Sequence, residues 1–353
     1  MGGSAPRGGP IVNRPTLPVG AATGIGSLGL DDHAEACNFA FDHTPALPAA
    51  PSLPVVDSCE SIIGQAAAGL DGVEIADDGV LDVDTARLLA NDPERAGSLD
   101  GPEFRGVRAF VDAALARRDA TDGSPSRLKF QLTGPVTFGL ALAGEGVPID
   151  DAFPFAGSVV RARARAFAAL FRSRIPDVTP VVFVDEPGLT SMTHPGFPLV
   201  PGDTVRLVAS VLDTFDDGTL TGIHCCGSTD WAAVIAAGPD VLSTPLDCGL
   251  GFAGAELSRF LQEGGWVAWG AVPTDQPLGT TIDRYWQGLS AVWGRLAEAG
   301  CDPVLLRTQA LVTPACGLAG YQASQAARVF QLENTLADRL RSQAVGLRLQ
   351  VGA

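Results

Sequence analysis

His224 and Cys226 stand two residues apart in the stretch "GIHCCGSTDW" (222–231). On an extended strand they share one face, and Cys225 between them points the other way. An imidazole nitrogen and a thiolate at that spacing form a donor pair suited to zinc. Two donors do not make a site, and a third from another strand end would complete one that leaves a coordination position open for chemistry. Cys316, in "TPACGLAG", is the best candidate, 92 residues after His224 and followed by glycine as Cys226 is. Asp247 and Cys248, 21 and 22 residues after Cys226, are candidates for a displaceable fourth ligand, and Asp247 reads equally well as a loop cap. The remaining cysteines, Cys37, Cys59, Cys225 and Cys301, read as core residues.

These positions need a scaffold that gathers strand ends. Strands are expected within 21–29, 72–76, 127–139, 179–189, 219–227, 240–249, 266–273 and 303–317. Helical stretches follow each of them in turn, and the Pro-rich "HTPALPAAPSLP" (43–54) reads as a break. Near-continuous apolar strands alternating with helices indicate a parallel sheet covered on both faces. About eight such units, with no glycine fingerprint of a dinucleotide fold, favour a single (β/α)8 TIM barrel, an α/β fold, over an open doubly wound sheet. Ser27, Asp185, Glu186, His224, Cys226, Asp247 and Cys316 all fall at C-terminal strand ends, which a barrel brings to one mouth.

Composition narrows the function. The 353 residues carry 24 basic and 40 acidic side chains, a net charge of −16. So acidic a surface excludes a general binder of nucleic acid or of an anionic membrane. The chain shows no apolar run long enough to cross a bilayer. Residues 1–16 read as a flexible Pro/Gly-rich lead-in without a signal peptide's apolar stretch, and 17–353 as the barrel domain. Seven cysteines, an odd count in a large chain, argue against a disulfide framework and for a reducing, cytoplasmic setting.

The motifs together resemble the catalytic half of cobalamin-independent methionine synthase. That family lies in a superfamily with uroporphyrinogen decarboxylase and the methylcobamide:thiol methyltransferases. "GIGSLG" (24–29) resembles the family's Ile-Gly-Ser start. "QLTGPVTFG" (131–139) resembles its Leu-Thr-Gly-Pro-Val-Thr stretch, and "VDEPGL" (184–189) its Asp-Glu-Pro motif. "HCCG" (224–227) and "TPACGL" (313–318) match its two cysteine motifs in order, which the decarboxylases lack. The resemblance implies a methyltransferase acting on a thiol, with homocysteine the expected acceptor and methionine the product. It implies zinc on His224, Cys226 and Cys316, with Asp247 or Cys248 where family synthases supply a glutamate. It places Ser27 at the amino acid's carboxylate and Asp185, the catalytic carboxylate, at its ammonium, with Glu186 in the same substrate site. Read without it, Asp185 and Glu186 would cap a loop before Pro187.

Two departures bear on the methyl donor. Folate-using relatives place a histidine after the seventh strand, and "WGAVPTDQP" (269–277) has none. Their tryptophan after the Gly-Pro-Val-Thr stretch is replaced by "FGLALAGEG". The expected donor is therefore a methylcorrinoid such as methylcobalamin, delivered by a corrinoid carrier protein, rather than methyl-tetrahydrofolate. Three rivals remain: a methylcobamide:thiol methyltransferase with another acceptor, a metal-free tetrapyrrole decarboxylase, and a non-catalytic zinc-holding accessory protein.

Overall fold

Six strands form one parallel sheet, in the order β3 (Arg127–Thr133), β4 (Thr179–Asp185), β5 (Leu220–His224), β6 (Val241–Pro245), β7 (Trp266–Val272) and β8 (Ala310–Pro314). Two further strands, β1 (Val73–Ile75) and β2 (Leu81–Val83), pair with each other antiparallel, apart from that sheet. The computed structural model describes residues 15–76, 79–120 and 125–351, so all but the last two residues of the expected lead-in lie outside it.

Burial on both faces explains why these segments form a parallel sheet. Val181, Phe183, Leu220, Val241, Ala268 and Leu311 pack into one inner cluster. Alternate residues, among them Val182, Val184, Ile223, Leu242, Val267 and Val312, join the larger cluster under the helices. Strands apolar at every position satisfy both layers at once.

The first two expected barrel strands differ from the sequence expectation. "GVEIA" does not join the parallel sheet. Val73–Ile75 is only half-buried, and it pairs with β2 over the helix Pro135–Gly144 in a satellite cluster. The expected break at 43–54 instead supplies an extended segment beside β3. Ala50 N donates to Lys129 O and Lys129 N to Pro48 O, both at 2.8 Å. The pairing uses only the carbonyl of Pro48, so its missing N–H is no obstacle. Residues 20–28 run alongside β8, with Thr23 N donating to Val312 O at 3.0 Å and Val312 N to Ala21 O at 2.9 Å. They meet the 48–52 segment where Leu28 N donates to Ser52 O at 3.0 Å. These contacts are isolated bridges, not regular ladders. Leu17, Ala21 and Leu47 complete the inner cluster from these segments.

The stretch expected as strand over 127–139 ends at Thr133, where Gly134 caps a helix with Pro135 in its first turn. Proline fits there because the first helical N–H groups have no partner within the helix. Among the described residues no helix is long and apolar enough to cross a membrane.

Candidate metal and thiol site

The inward positions of β4 and β5 end in Asp185 and His224, which are register partners. His224 is buried. Its Nδ1 lies 2.9 Å from the Ser243 hydroxyl, on the facing inward position of β6. That contact fixes the ring and leaves Nε2 buried without a regular hydrogen bond. One residue on, Cys225 turns outward into the helix-covered core, fully buried, with its thiol 3.6 Å from Gly227 O. Cys226 turns back and meets Cys316, carried by the loop after β8. Contact with the Cys226 thiol and with the His224 ring pulls the Cys316 thiol well below its ordinary range, and the same sulfur contact pushes Cys226 up. The charge settles on Cys316, and Cys226 keeps its proton. All seven cysteines are free.

Among the described residues no three His, Cys, Asp or Glu side chains form a finished metal cage. The donor chemistry nonetheless fits a metal. An imidazole nitrogen is orphaned, its other nitrogen is held by a hydroxyl in the manner of ring-orienting partners, and two sulfurs share a proton beside it. The two candidates for a fourth ligand lie elsewhere. Asp247 is exposed and sits 3.3 Å from Arg295. Cys248 is buried with its thiol 3.0 Å from Pro245 O, and its carbonyl accepts from Trp231 Nε1 at 2.7 Å.

Asp185 is buried, and its Oδ1 has no hydrogen-bond partner. Burial lifts its carboxyl to about 6, against the opposing pull of His224 and Lys129. Glu186, expected beside the substrate, is engaged otherwise. It is fully buried and accepts from Val136 N at 2.9 Å, Thr137 N at 2.7 Å and the Thr137 hydroxyl at 2.6 Å. A Cβ at Gly134 would fall 2.1 Å from its carboxyl carbon. A carboxylate on the unpaired N–H groups of a helix start is a cap, the structural reading of that residue type. Burial still lifts it to about 7, against those hydrogen bonds.

Ser27 is half-buried, and its carbonyl accepts from Leu318 N at 2.9 Å. Its hydroxyl occupies the space a side chain at Gly317 would need, 2.1 Å from a Cβ built there. The glycine after Cys316 thus lets the 24–28 loop close against the cysteine's own loop. Sequence reasoning missed Ser243 and Lys129. Both were within reach, because each is a polar residue at an inward position of an otherwise apolar strand.

No protein-family model matches this chain, and no curated protein does. Among solved structures, the chain is similar to a putative vitamin-B12-independent methionine synthase from Listeria monocytogenes. The TM-score is 0.51 at 13% identity, over 93% of this chain and 98% of that one. It is also matched to a B12-independent methionine synthase from Shewanella sp. W3-18-1 in complex with selenomethionine. That TM-score is 0.46 at 15% identity, over 67% and 68% of the two chains. At such identity the likeness to the Listeria protein shows a shared fold.

Proposed function

We propose that this chain is a zinc-dependent methyltransferase that methylates a thiol, with homocysteine the acceptor and methionine the product. One observation carries the reading: His224, Cys226 and Cys316 come from two strand ends far apart in sequence and converge on one point. Structural cysteines have no need to meet a half-satisfied histidine. We read the 20–28 and 48–52 segments as the first two positions of a (β/α)8 barrel that occupies 17–353 in a cytoplasmic protein, its mouth at the strand ends that carry these groups.

A zinc ion on His224 Nε2, Cys226 and Cys316 would bind the substrate sulfur as a thiolate near neutral pH, where a free thiol is mostly protonated. The protein's own groups do the remaining work. Ser243 holds the imidazole so that Nε2 faces the two sulfurs. The unpartnered Oδ1 of Asp185 is the acceptor for the substrate's ammonium. The 24–28 loop, with Ser27 against Gly317, meets the carboxylate end. Holding both ends of the amino acid aligns its sulfur for in-line attack on the methyl group. With Asp247 and Cys248 directed elsewhere, the fourth metal position belongs to that sulfur.

The methyl donor in this reading is a methylcorrinoid presented by a carrier protein. The loop after β7 offers no histidine to protonate a departing amine. Between this loop and the one after β8 lies an open groove of about 250 Å³ lined by Gln276, Leu278, Tyr321 and Gln325. The direct test is elemental analysis with zinc-edge absorption, with and without homocysteine. About one zinc per chain, gaining a sulfur neighbour when the thiol is added, is the expected result. Protein that binds no zinc, or zinc whose shell ignores the thiol, overturns the reading.

A further inference from the structure

Lys129 lies on the inner face of β3, 1% exposed. Its Nζ donates to Ile25 O at 2.6 Å and stands 4.7 Å from the centre of the Phe183 ring. A buried ammonium is expensive, and an apolar side chain of the same length would fill that space more stably. Burial pushes its pKa down to about 8, against the pull of the Asp185 carboxylate. Stability alone therefore gives no reason for a lysine at this position.

What Lys129 holds supplies a reason. The 24–28 loop is tied to its neighbours by isolated bridges, so regular strand hydrogen bonds do not fix it. Two inward side chains of β3 take over that task. Lys129 holds the carbonyl of Ile25, and Gln131 Nε2 holds that of Ala50 at 2.7 Å. Gly26, at φ 150°, lies directly on Gln131, and a Cβ there would be 2.3 Å from Nε2. Beyond Gly26, Ser27 accepts from Leu318 N and fills the space beside Gly317, the neighbour of Cys316. A connected path thus runs from the Lys129 ammonium through Ile25 and Ser27 to the wall of the thiol site.

We infer that Lys129 is a positioning residue: by holding Ile25 it sets the 24–28 loop against the loop of Cys316, and so sets the preference for a thiol that also carries a carboxylate. The substrate half of this inference rests on the methyltransferase reading above. The loop half does not.

The test compares zinc-loaded wild type with Lys129→Met, which keeps the chain's bulk and removes its charge and donor. Hydrogen exchange reads the loop without any substrate. Peptides covering 24–28 and 316–320 should exchange faster in the variant, and 181–185 should not change. Calorimetry with three thiols then reads specificity. Wild type should favour homocysteine over 3-mercaptopropylamine, which lacks the carboxylate, by about tenfold or more, the scale of a charge-assisted hydrogen bond. In Lys129→Met that gap should close to about threefold or less, by the same scale. Preference over 4-mercaptobutanoate, which lacks the amine, should survive. Lys129→Arg, which keeps a donor, should restore part of both effects. If the Met variant does not fold, Lys129→Gln, whose amide stops short of Ile25, carries the comparison. Unchanged exchange at both loops, or an intact carboxylate preference in a folded variant, overturns the inference. A wild type that binds no thiol overturns the methyltransferase reading and the substrate half here, while exchange still decides whether Lys129 holds the loop.

Discussion

The side chains of Cys226 and Cys316 meet at the mouth of the sheet, although 90 residues of chain separate them. One follows β5 and the other follows β8, two strands further along the sheet. The contact divides the two thiols by charge, lowering one pKa and raising the other. Two acidic protons held on adjacent sulfurs are what a soft divalent ion displaces on binding.

The metal should follow the facing of these residues. Cys226→Ala and Cys316→Ala should each lose most of the zinc, as read by elemental analysis after gel filtration. Cys225→Ala should retain it, because that thiol lies in the outer core. Asp247→Ala should also retain it, since Asp247 is exposed beside Arg295. Zinc loss from the Cys225 variant but not the Cys226 variant would refute the assignment.

Ser243 tests the orientation of the imidazole. Ser243→Ala removes the partner of His224 Nδ1 without touching a proposed ligand. Partners of this kind change metal affinity by about 10–100-fold. The variant should bind zinc stoichiometrically, yet lose it to a competing chelator at a lower concentration than wild type does. An unchanged competition curve would leave Ser243 as packing only.

Asp185→Asn keeps the size of the side chain and removes the charge that would meet an ammonium. Homocysteine binding should weaken by roughly 1.5–3 kcal/mol, the scale of a hydrogen bond to a charged group. Zinc content should stay at the wild-type level. Affinity that does not change in a zinc-replete variant removes Asp185 from the substrate site.

Glu333 makes a prediction about stability. It lies on the long helix Ala323–Val351, fully buried, with neither carboxylate oxygen partnered. Burial raises its pKa well above the usual carboxylate value, so the folded protein holds it neutral. The unfolded chain releases that proton near pH 4.3. Its contribution to stability is therefore fully present below that pH. It is lost as pH rises from there towards the folded pKa, by about 1.4 kcal/mol per pH unit. Glu333→Gln should remove this slope and raise the denaturation midpoint at pH 7 relative to wild type. Parallel stability–pH curves for the two proteins would contradict it.

The legible parts of the fold and site were those where neighbours in sequence carry the physical reason. Doubly buried runs such as 179–185 and 266–272 announce a parallel sheet. The period of two told Cys225 from Cys226 before any coordinates existed. The same period could have singled out Ser243 and Lys129. The first two barrel positions were not legible, because side chains and single bridges hold them rather than strand patterning. The role of Glu186 was hidden for another reason. It depends on a helix start at Gly134–Thr137, 49 to 52 residues earlier in the chain, and nothing beside Glu186 in sequence reports it.

The methyl donor gives the sharpest functional prediction. A methylated folate leaves as an amine, and an amine departs readily only once protonated, so a folate user needs a general acid near the transferred methyl. The loop after β7, "PTDQP", offers Asp275, which is exposed, and no histidine. His33, His43 and His194 are engaged elsewhere. His33 lies 2.5 Å from Glu60, His43 Nδ1 lies 3.0 Å from Phe39 O, and His194 Nδ1 accepts from Gly196 N. A methylcorrinoid needs no acid, because its cobalt leaves as a stable reduced species. Methionine should therefore form from methylcobalamin and homocysteine, with little or none from methyl-tetrahydrofolate. Cys316→Ala should abolish it. Product is measured by mass spectrometry with each donor in turn. Robust turnover with the folate alone would exclude the corrinoid, and Asp275→Asn would then show whether that exposed carboxyl had been the acid.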